Sequence, residues 1–297
     1  MSATRAGTVA LIGWTNVGKS TLLNRFVGHK IAAVAAAAQT TRHRITGVRH
    51  FDGRGQIAFV DTPGWHQPRH RMNRQMVELS RSTLGSVDCV AWLIDASRGI
   101  GSGDRQVAEL LRKLDTPKVA VLNKIDHVGR KAKLLPMMEE IAGWSEFSEI
   151  VPISAATGNG CDELLEILLR LLPERPPLYD DDFLTDQSRR QRVSEFVREQ
   201  LVRHTREELP HATAVVIESW DEADPRLTRI GATVLVDRES QKSIVIGTQG
   251  SVLKNVGSAA RVEIERLLER QVFLELWVKV RKDWREDKGT LREIGLV

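Results

Sequence analysis

Between residues 8 and 175, short uninterrupted apolar runs alternate with amphipathic stretches. Thr8 to Gly13, Ile57 to Asp61, Cys89 to Asp95, Val119 to Asn123 and Ile150 to Ile153 read as buried strands, and helical spacing fills the intervals. Strands joined through helices pair in parallel and bury both faces. The order therefore predicts an α/β fold, a mostly parallel sheet covered on both sides. His43 to Phe51, Asp52-Gly53 and Gln56 to Asp61 read instead as a hairpin, which adds one antiparallel edge strand.

The helical run from Cys161 to Leu172 meets Pro173, Pro176 and Pro177, which remove donors and disfavour helix in the residues before them. The expected division is residues 1–175 as a first domain, 176–186 as a linker and 187–297 as a second domain. In the second, Val193, Phe196, Val197 and Leu201 keep helical spacing until Leu209-Pro210. Strand-like segments follow at Ala212 to Trp220 and Thr228 to Val236. Then come Ile244 to Ile246, a glycine-rich turn, a long helix from Ser251 to about Arg270 and a strand from Val272 to Val280. On that last strand Leu274, Leu276, Val278 and Val280 share one face, and Phe273, Glu275, Trp277 and Lys279 the other. The order is helix, strand, strand, helix, helix, strand.

Length and composition fit this division: 297 residues suit two domains, with 41% hydrophobic and 28% charged residues. The longest apolar run, Ile31 to Ala38, is far short of the roughly 20 residues that cross a bilayer. The amino terminus has no secretory pattern. Two cysteines, Cys89 and Cys161, make no disulfide framework, so a reducing cytoplasm is expected. The formal charge of +4 divides into +5 for residues 1–180 and −1 for 181–297, so any nucleic-acid binding by the second part must rest on local patches.

Gly13-Trp14-Thr15-Asn16-Val17-Gly18-Lys19-Ser20 fits the phosphate-loop pattern and lies where that loop works, between a buried strand and a helix. Its glycines let successive N–H groups of Asn16, Val17, Gly18, Lys19, Ser20 and Thr21 curl around phosphates at the positive end of the helix. Lys19 would reach the outer phosphates, and Ser20 would give its hydroxyl to Mg²⁺. Asp61-Thr62-Pro63-Gly64 follows a strand, which puts a carboxylate near the same metal. Gly64 is suited to an N–H that meets the terminal phosphate and moves when it leaves. Between them, Gln39-Thr40-Thr41-Arg42 offers a hydroxyl that senses the terminal phosphate through the metal. Thr41 is the first choice and Thr40 the reserve. Asn123-Lys124-Ile125-Asp126 identifies the base, because a fixed carboxylate at Asp126 accepts both the ring N–H and the exocyclic amine of guanine. Ser154-Ala155 would add a backbone N–H to the guanine oxygen. Guanine is expected over adenine, hence GTP and GDP. Eight arginines between Arg42 and Arg81 read equally as a solvated basic face or as contacts to nucleic-acid phosphates.

On these motifs, and on Asn16-Val-Gly-Lys-Ser-Thr-Leu-Leu-Asn24, Ser240-Gln-Lys242, Val245-Ile-Gly247, Trp277-Val-Lys-Val280 and Trp284, the chain resembles the Era GTPases over nearly its whole length. The resemblance implies a Ras-like P-loop domain followed by a smaller α+β type II KH domain. It further implies binding near the 3′ end of 16S ribosomal RNA, a role in small ribosomal subunit maturation, and peripheral attraction to the inner membrane of an otherwise cytoplasmic protein, here expected as a monomer. Gly247-Thr248-Gln249-Gly250 then becomes the loop that clamps RNA backbone. Lys242, Lys254 and Arg261 become phosphate contacts, and Trp284 is either an aromatic platform or an ordinary buried or surface tryptophan.

The chain departs from the family in places. Trp14-Thr15 stand where a basic residue and proline are usual, Ala35 to Ala38 precede Gln39, and Thr248-Gln249 carry no lysine. Trp65 occupies the place of the glutamine that orients water in Ras-like enzymes. Lys19, Thr41 and Gly64 therefore carry the chemistry, and slow intrinsic hydrolysis is expected. Related GTPases with asparagine at the position of Asn16 use potassium, which adds K⁺ to Mg²⁺ as an expected cofactor. A second reading is a guanine-nucleotide-dependent RNA-binding scaffold with little or no hydrolysis.

Overall fold

The computed structural model of the chain describes residues 4–35, 41–65, 70–205 and 209–296. Gln39, Thr40, Ala36 to Ala38 and Arg69 lie outside them. The chain divides into two compact units, one built on residues 4–32, 41–65 and 76–186 and the other on 33–35, 70–75 and 187–296.

In the first unit the elements run β1 (Arg5–Gly13), α1 (Lys19–Val27), β2 (Ile45–Phe51), β3 (Gly55–Asp61), α2 (Arg71–Leu84), β4 (Cys89–Asp95), α3 (Ser102–Leu111), β5 (Lys118–Asn123), α4 (Leu134–Ala142), β6 (Glu149–Pro152) and α5 (Cys161–Leu171). The sheet order is β2-β3-β1-β4-β5-β6, with β2 antiparallel to β3 and the other pairs parallel. Alternation along the strands sends Val9 and Leu11 to one face, where they join Leu22 and Phe26 of α1 and Leu164 and Leu168 of α5. Ala10 and Ile12 face the other way, with Trp92, Val107, Leu111 and Ile141. Trp92 is fully buried, 6.0 Å from the ring of Trp144 and 5.6 Å from that of Phe147. Burial on both faces explains why these strands read as unbroken apolar runs.

The stretch read as a linker lies along the free edge of β2. Thr185 bridges Gly47, Val48 N–H donates to Leu184 O at 3.0 Å, and Thr46 N–H donates to the Asp186 carboxylate at 2.9 Å. Buried Gln56 fixes the other end: its Oε1 accepts from the N–H groups of Leu178 and Tyr179, and its Nε2 donates to Tyr179 O. The groups of β2 that a bare edge would leave unpaired are thereby used.

The second unit runs α6 (Arg189–His204), α7 (Leu209–Ala212), β7 (Ala214–Asp224), β8 (Leu227–Val236), α8 (Glu239–Ile246), α9 (Ser251–Leu268), β9 (Gln271–Val280) and α10 (Lys288–Glu293). A capping box opens α6: Ser188 Oγ accepts from Gln191 N–H, and Gln191 Oε1 accepts from Ser188 N–H. The sheet is β7-β8-β9, antiparallel then parallel. Val193, Phe196, Val197 and Leu201 of α6 and Val256, Ala260 and Ile264 of α9 cover its inner face. The strand read as starting at Ala212 starts at Ala214, because Leu209–Ala212 forms a short helix.

Candidate functional site

The registers of the first sheet bring the chemistry to one edge. Leu11 pairs with Asp61, Gly13 with Leu93, Asp95 with Asn123 and Leu122 with Pro152, so the carboxyl ends of β1, β3, β4, β5 and β6 lie side by side. The phosphate loop leaves β1 there. Gly13 has φ +154° and Gly18 φ +100°, and a Cβ on Gly18 would lie 2.4 Å from Asn123 Nδ2, so only glycine fits. Lys19 begins α1, is buried, and donates from Nζ to the oxygens of Gly13 at 3.2 Å and Trp14 at 3.0 Å. Burial lowers its pKa to about 8, against the pull of Asp61.

Three oxygens gather beside it. Ser20 Oγ lies 2.6 Å from Thr41 Oγ1 and donates to Asp61 Oδ2 at 2.7 Å, while Thr41 Oγ1 donates to the same oxygen at 3.2 Å. Asp61 Oδ1 is buried without a hydrogen-bond partner among the described residues. Burial pushes this carboxyl up, opposed by Lys19, Ser20 and Thr41. Hard oxygen donors, one of them a carboxylate oxygen left unsatisfied, suit a magnesium ion. Thr41 is thus placed with Ser20 and Asp61 as the sequence reading proposed. Gly64 packs on the loop so closely that a Cβ would lie 2.8 Å from Thr15 Cα, and Trp65 N–H donates to Gly13 O at 3.1 Å. The Trp65 side chain packs with the core on the Trp92 face, beneath Arg81.

At the other end, Asn123 Nδ2 donates to Val17 O at 2.8 Å, and Lys124 Nζ donates to Asn16 O at 2.7 Å and to Asp95 at 2.7 Å. Asn123 and Lys124 thus brace the phosphate loop. A hydrogen bond from Ser154 holds the Asp126 carboxyl below the usual range, so it is a ready anion. The Ala155 N–H, which the sequence reading aimed at the guanine oxygen, donates to Asn123 Oδ1 at 2.9 Å. Ser154 N–H donates to Asn159 O. In this arrangement the two residues fix Asn123 and Asp126.

The sequence reading missed three supports. Asp95 anchors Lys124. Arg25 donates to the oxygens of Ala155 and Ala156. Asn24 Oδ1 accepts from the N–H groups of Ile31 and Ala32 at 2.9 Å. Asn24 had a signal as the last residue of the motif run that opens α1, and Asp95 as the carboxylate ending the apolar run from Cys89. Within the arginine run Arg42 is buried, whereas Arg54 is exposed and pairs with Glu166.

In the second unit, Gly247 to Gly250 joins α8 to α9. Gly247 has φ +73°, and a Cβ there would lie 2.5 Å from Val252; Gly250 has φ +77° with open space around it. A groove of about 430 Å³ runs between α9 and β9, lined by Gly250, Lys254, Gly257 and Arg261 on one side and Phe273 and Leu276 on the other. Lys254 and Arg261 are seven residues apart, two turns along one helix face. Lys242 is outside this lining, on α8, 4.0 Å from Glu239. Trp284 is no platform: it is fully buried and donates from Nε1 to Ala212 O at 3.1 Å. The aromatic ring at the groove is that of Phe273, 46% exposed, with the Arg229 guanidinium 5.4 Å from its centre.

A family profile described as "50S ribosome-binding GTPase" matches residues 8–124, and one described as "KH domain" matches residues 208–285. The chain is 47% identical over 295 residues to the GTPase Era of Geobacter metallireducens, covering 98% of this chain and 97% of that one. It is similar to a solved structure of an Aquifex aeolicus Era variant bound to GDP·AlF4⁻, at 40% identity and a TM-score of 0.95, covering 99% of this chain and 100% of that one. A second solved structure, Era in complex with MgGDPNP and nucleotides 1506–1542 of 16S ribosomal RNA, matches at 40% identity and a TM-score of 0.96 over 99% of each chain.

Proposed function

Because this chain belongs to the Era family of GTPases, we propose that it binds GTP, hydrolyses it slowly to GDP and phosphate, and binds small-subunit ribosomal RNA near its 3′ end during assembly of that subunit. The observation that carries the reading is the division of labour along the strand tips. Lys19, Ser20, Thr41 and Asp61 converge at one end, Asp126 stands ready at the other, and Asn123 and Lys124 tie the two together.

Hydrolysis needs alignment and charge neutralisation more than covalent chemistry. Lys19, still an ammonium at neutral pH, neutralises the outer phosphates, and the phosphate-loop N–H groups orient them. Ser20, Thr41 and Asp61 would hold the Mg²⁺, which would supply charge neutralisation at the phosphates. Gly64, packed against the loop at Thr15, would donate its N–H to the terminal phosphate and lose that contact when the phosphate leaves. Trp65 has no group that polarises water, so the unassisted rate is low. Asn16, held at φ +63° with its carbonyl on Lys124, is the residue through which potassium would speed turnover. Equal rates in sodium and potassium would contradict that assignment.

In the second unit the glycine loop and the α9–β9 groove take single-stranded RNA, with phosphates on Lys254 and Arg261 and a base on Phe273. The protein works in the cytoplasm as a monomer with peripheral attraction to the inner membrane; among the described residues no helix is long and apolar enough to cross one. Cross-linking to ribosomal RNA in GTP and in GDP tests partner and switch together. Single-turnover phosphate release with and without RNA tests the enzyme, and absence of release in both would leave only a scaffold.

A further inference from the structure

A separate cavity of about 240 Å³ lies between the phosphate loop and the start of α3, lined by Trp14 and Thr15 on one side and Arg98, Gly101, Gly103 and Asp104 on the other. The Trp14 indole lies against the first turn of α3: a Cβ on Gly103 would come within 2.4 Å of its ring carbons. Asp104 is 8% exposed. Its Oδ2 accepts from Gly101 N–H at 2.9 Å, and its Oδ1 is buried with no hydrogen-bond partner among the described residues. A cap of the helix needs only the first of these oxygens.

Among the described residues no cation lies within ion-pair distance of this carboxylate. Burial and the nearby Asp95 push its pKa up against the hydrogen bond from Gly101. Asp95 also borders the cavity, but it is already occupied by Lys124 at 2.7 Å, by Ser97 and by Arg98 at 3.6 Å. A buried carboxylate without a counter-ion is a costly arrangement that a cation relieves. A bare metal ion suits the place poorly. Among the described residues no group of three or more histidine, cysteine, aspartate or glutamate side chains that could hold a metal ion occurs. An indole wall instead favours an organic cation, through cation–π attraction and burial of its carbons.

We propose that this cavity is a binding site for a small organic cation with N–H donors, an alkylammonium, whose charge meets Asp104 and whose carbon chain lies on Trp14. The cavity shares Trp14, Thr15 and Val17 with the phosphate loop, and the site does not depend on the RNA reading.

The test uses the full chain with GDP bound, titrated with n-propylammonium chloride. The readouts are the Trp14 indole N–H resonance, assigned by its loss in Trp14→Phe, and the Gly103 amide. Both are expected to shift saturably, with a midpoint at least tenfold higher in Asp104→Asn, and potassium chloride at equal concentration is expected to leave them in place. Asparagine keeps an oxygen for Gly101 N–H, and a thermal melt checks that the variant is folded. Should it not fold, Trp14→Ala is expected to weaken the Gly103 response severalfold. The proposal falls if the unaltered protein shows no saturable shift, if potassium chloride reproduces it, if folded Asp104→Asn binds equally well, or if Trp14→Ala does.

Discussion

Lys124 Nζ donates to the main-chain oxygen of Asn16 at 2.7 Å, so the tip of β5 holds the phosphate loop in shape. Asp95 fixes that lysine: burial pushes its carboxyl up, but the hydrogen bonds from Lys124 and Ser97 outweigh this and leave it below the usual range. Removing the charge of Asp95 forfeits a charge-assisted hydrogen bond worth about 1.5–3 kcal/mol. Asp95→Asn is expected to weaken GDP binding by roughly tenfold or more, measured with a fluorescent guanine nucleotide, with little change in guanine-over-adenine preference.

Asp126→Asn should act in the opposite manner. An amide at 126 offers a donor where guanine also donates, so preference is expected to move toward xanthine nucleotides, whose ring carbonyl accepts. Competition between GTP and XTP for the variant reads this directly, and unchanged guanine selectivity would contradict the base assignment.

The depressed Lys19 pKa makes a pH prediction for the nucleotide-free protein. Folding moves this group from 10.5 to about 8. Between those values the unfolded chain holds a proton that the folded one has released, so stability rises with pH across that window. Below pH 8 both states are protonated, and the buried ammonium's cost is fully present. Denaturant midpoints of the protein minus those of Lys19→Met should therefore increase from pH 8 to 10; a flat difference would sink the assignment.

Lys254 and Arg261 lie on the groove, whereas Lys242 lies on α8 outside its lining. Each phosphate contact on a single strand contributes about 0.7 to the slope of log affinity against log salt. Lys254→Ala and Arg261→Ala should each reduce that slope by roughly this amount, and Lys242→Ala should reduce it less.

Phe273 and Trp284 make a contrasting pair. Phe273→Ala should lose a stacking contact of about 1–3 kcal/mol with single-stranded RNA and leave the melting temperature nearly unchanged, since the ring is half exposed. Trp284→Phe should lower stability by about 1–3 kcal/mol, because it strands the Ala212 oxygen, while RNA affinity per folded molecule is retained.

What was legible in the chain was local. Glycine spacing before Lys19, carboxylates and amides ending apolar runs, and strands buried on both faces are all written in adjacent residues, and they place Lys19, Ser20, Asp61 and Asp126. Asp95 also ends an apolar run, but its task is not local: it depends on the pairing of Asp95 with Asn123, which joins β4 to β5 across an intervening helix. Trp284 was illegible for a related reason. Its neighbours Lys282, Asp283, Arg285 and Glu286 are charged and suggest a surface, yet its burial is decided by an oxygen 72 residues away. Ala155 shows the limit of motif reading, since the motif locates the residue while a neighbouring strand decides where its N–H points.

The strip from Tyr179 to Asp186 bears on any attempt to study the two halves separately. A fragment cut at the proline cluster would leave β2 with a naked hydrogen-bonding margin and Gln56 facing water, inviting strand-to-strand self-association. Dissection after Asp186 keeps that margin sealed, so the halves should be parted at the capping box of α6.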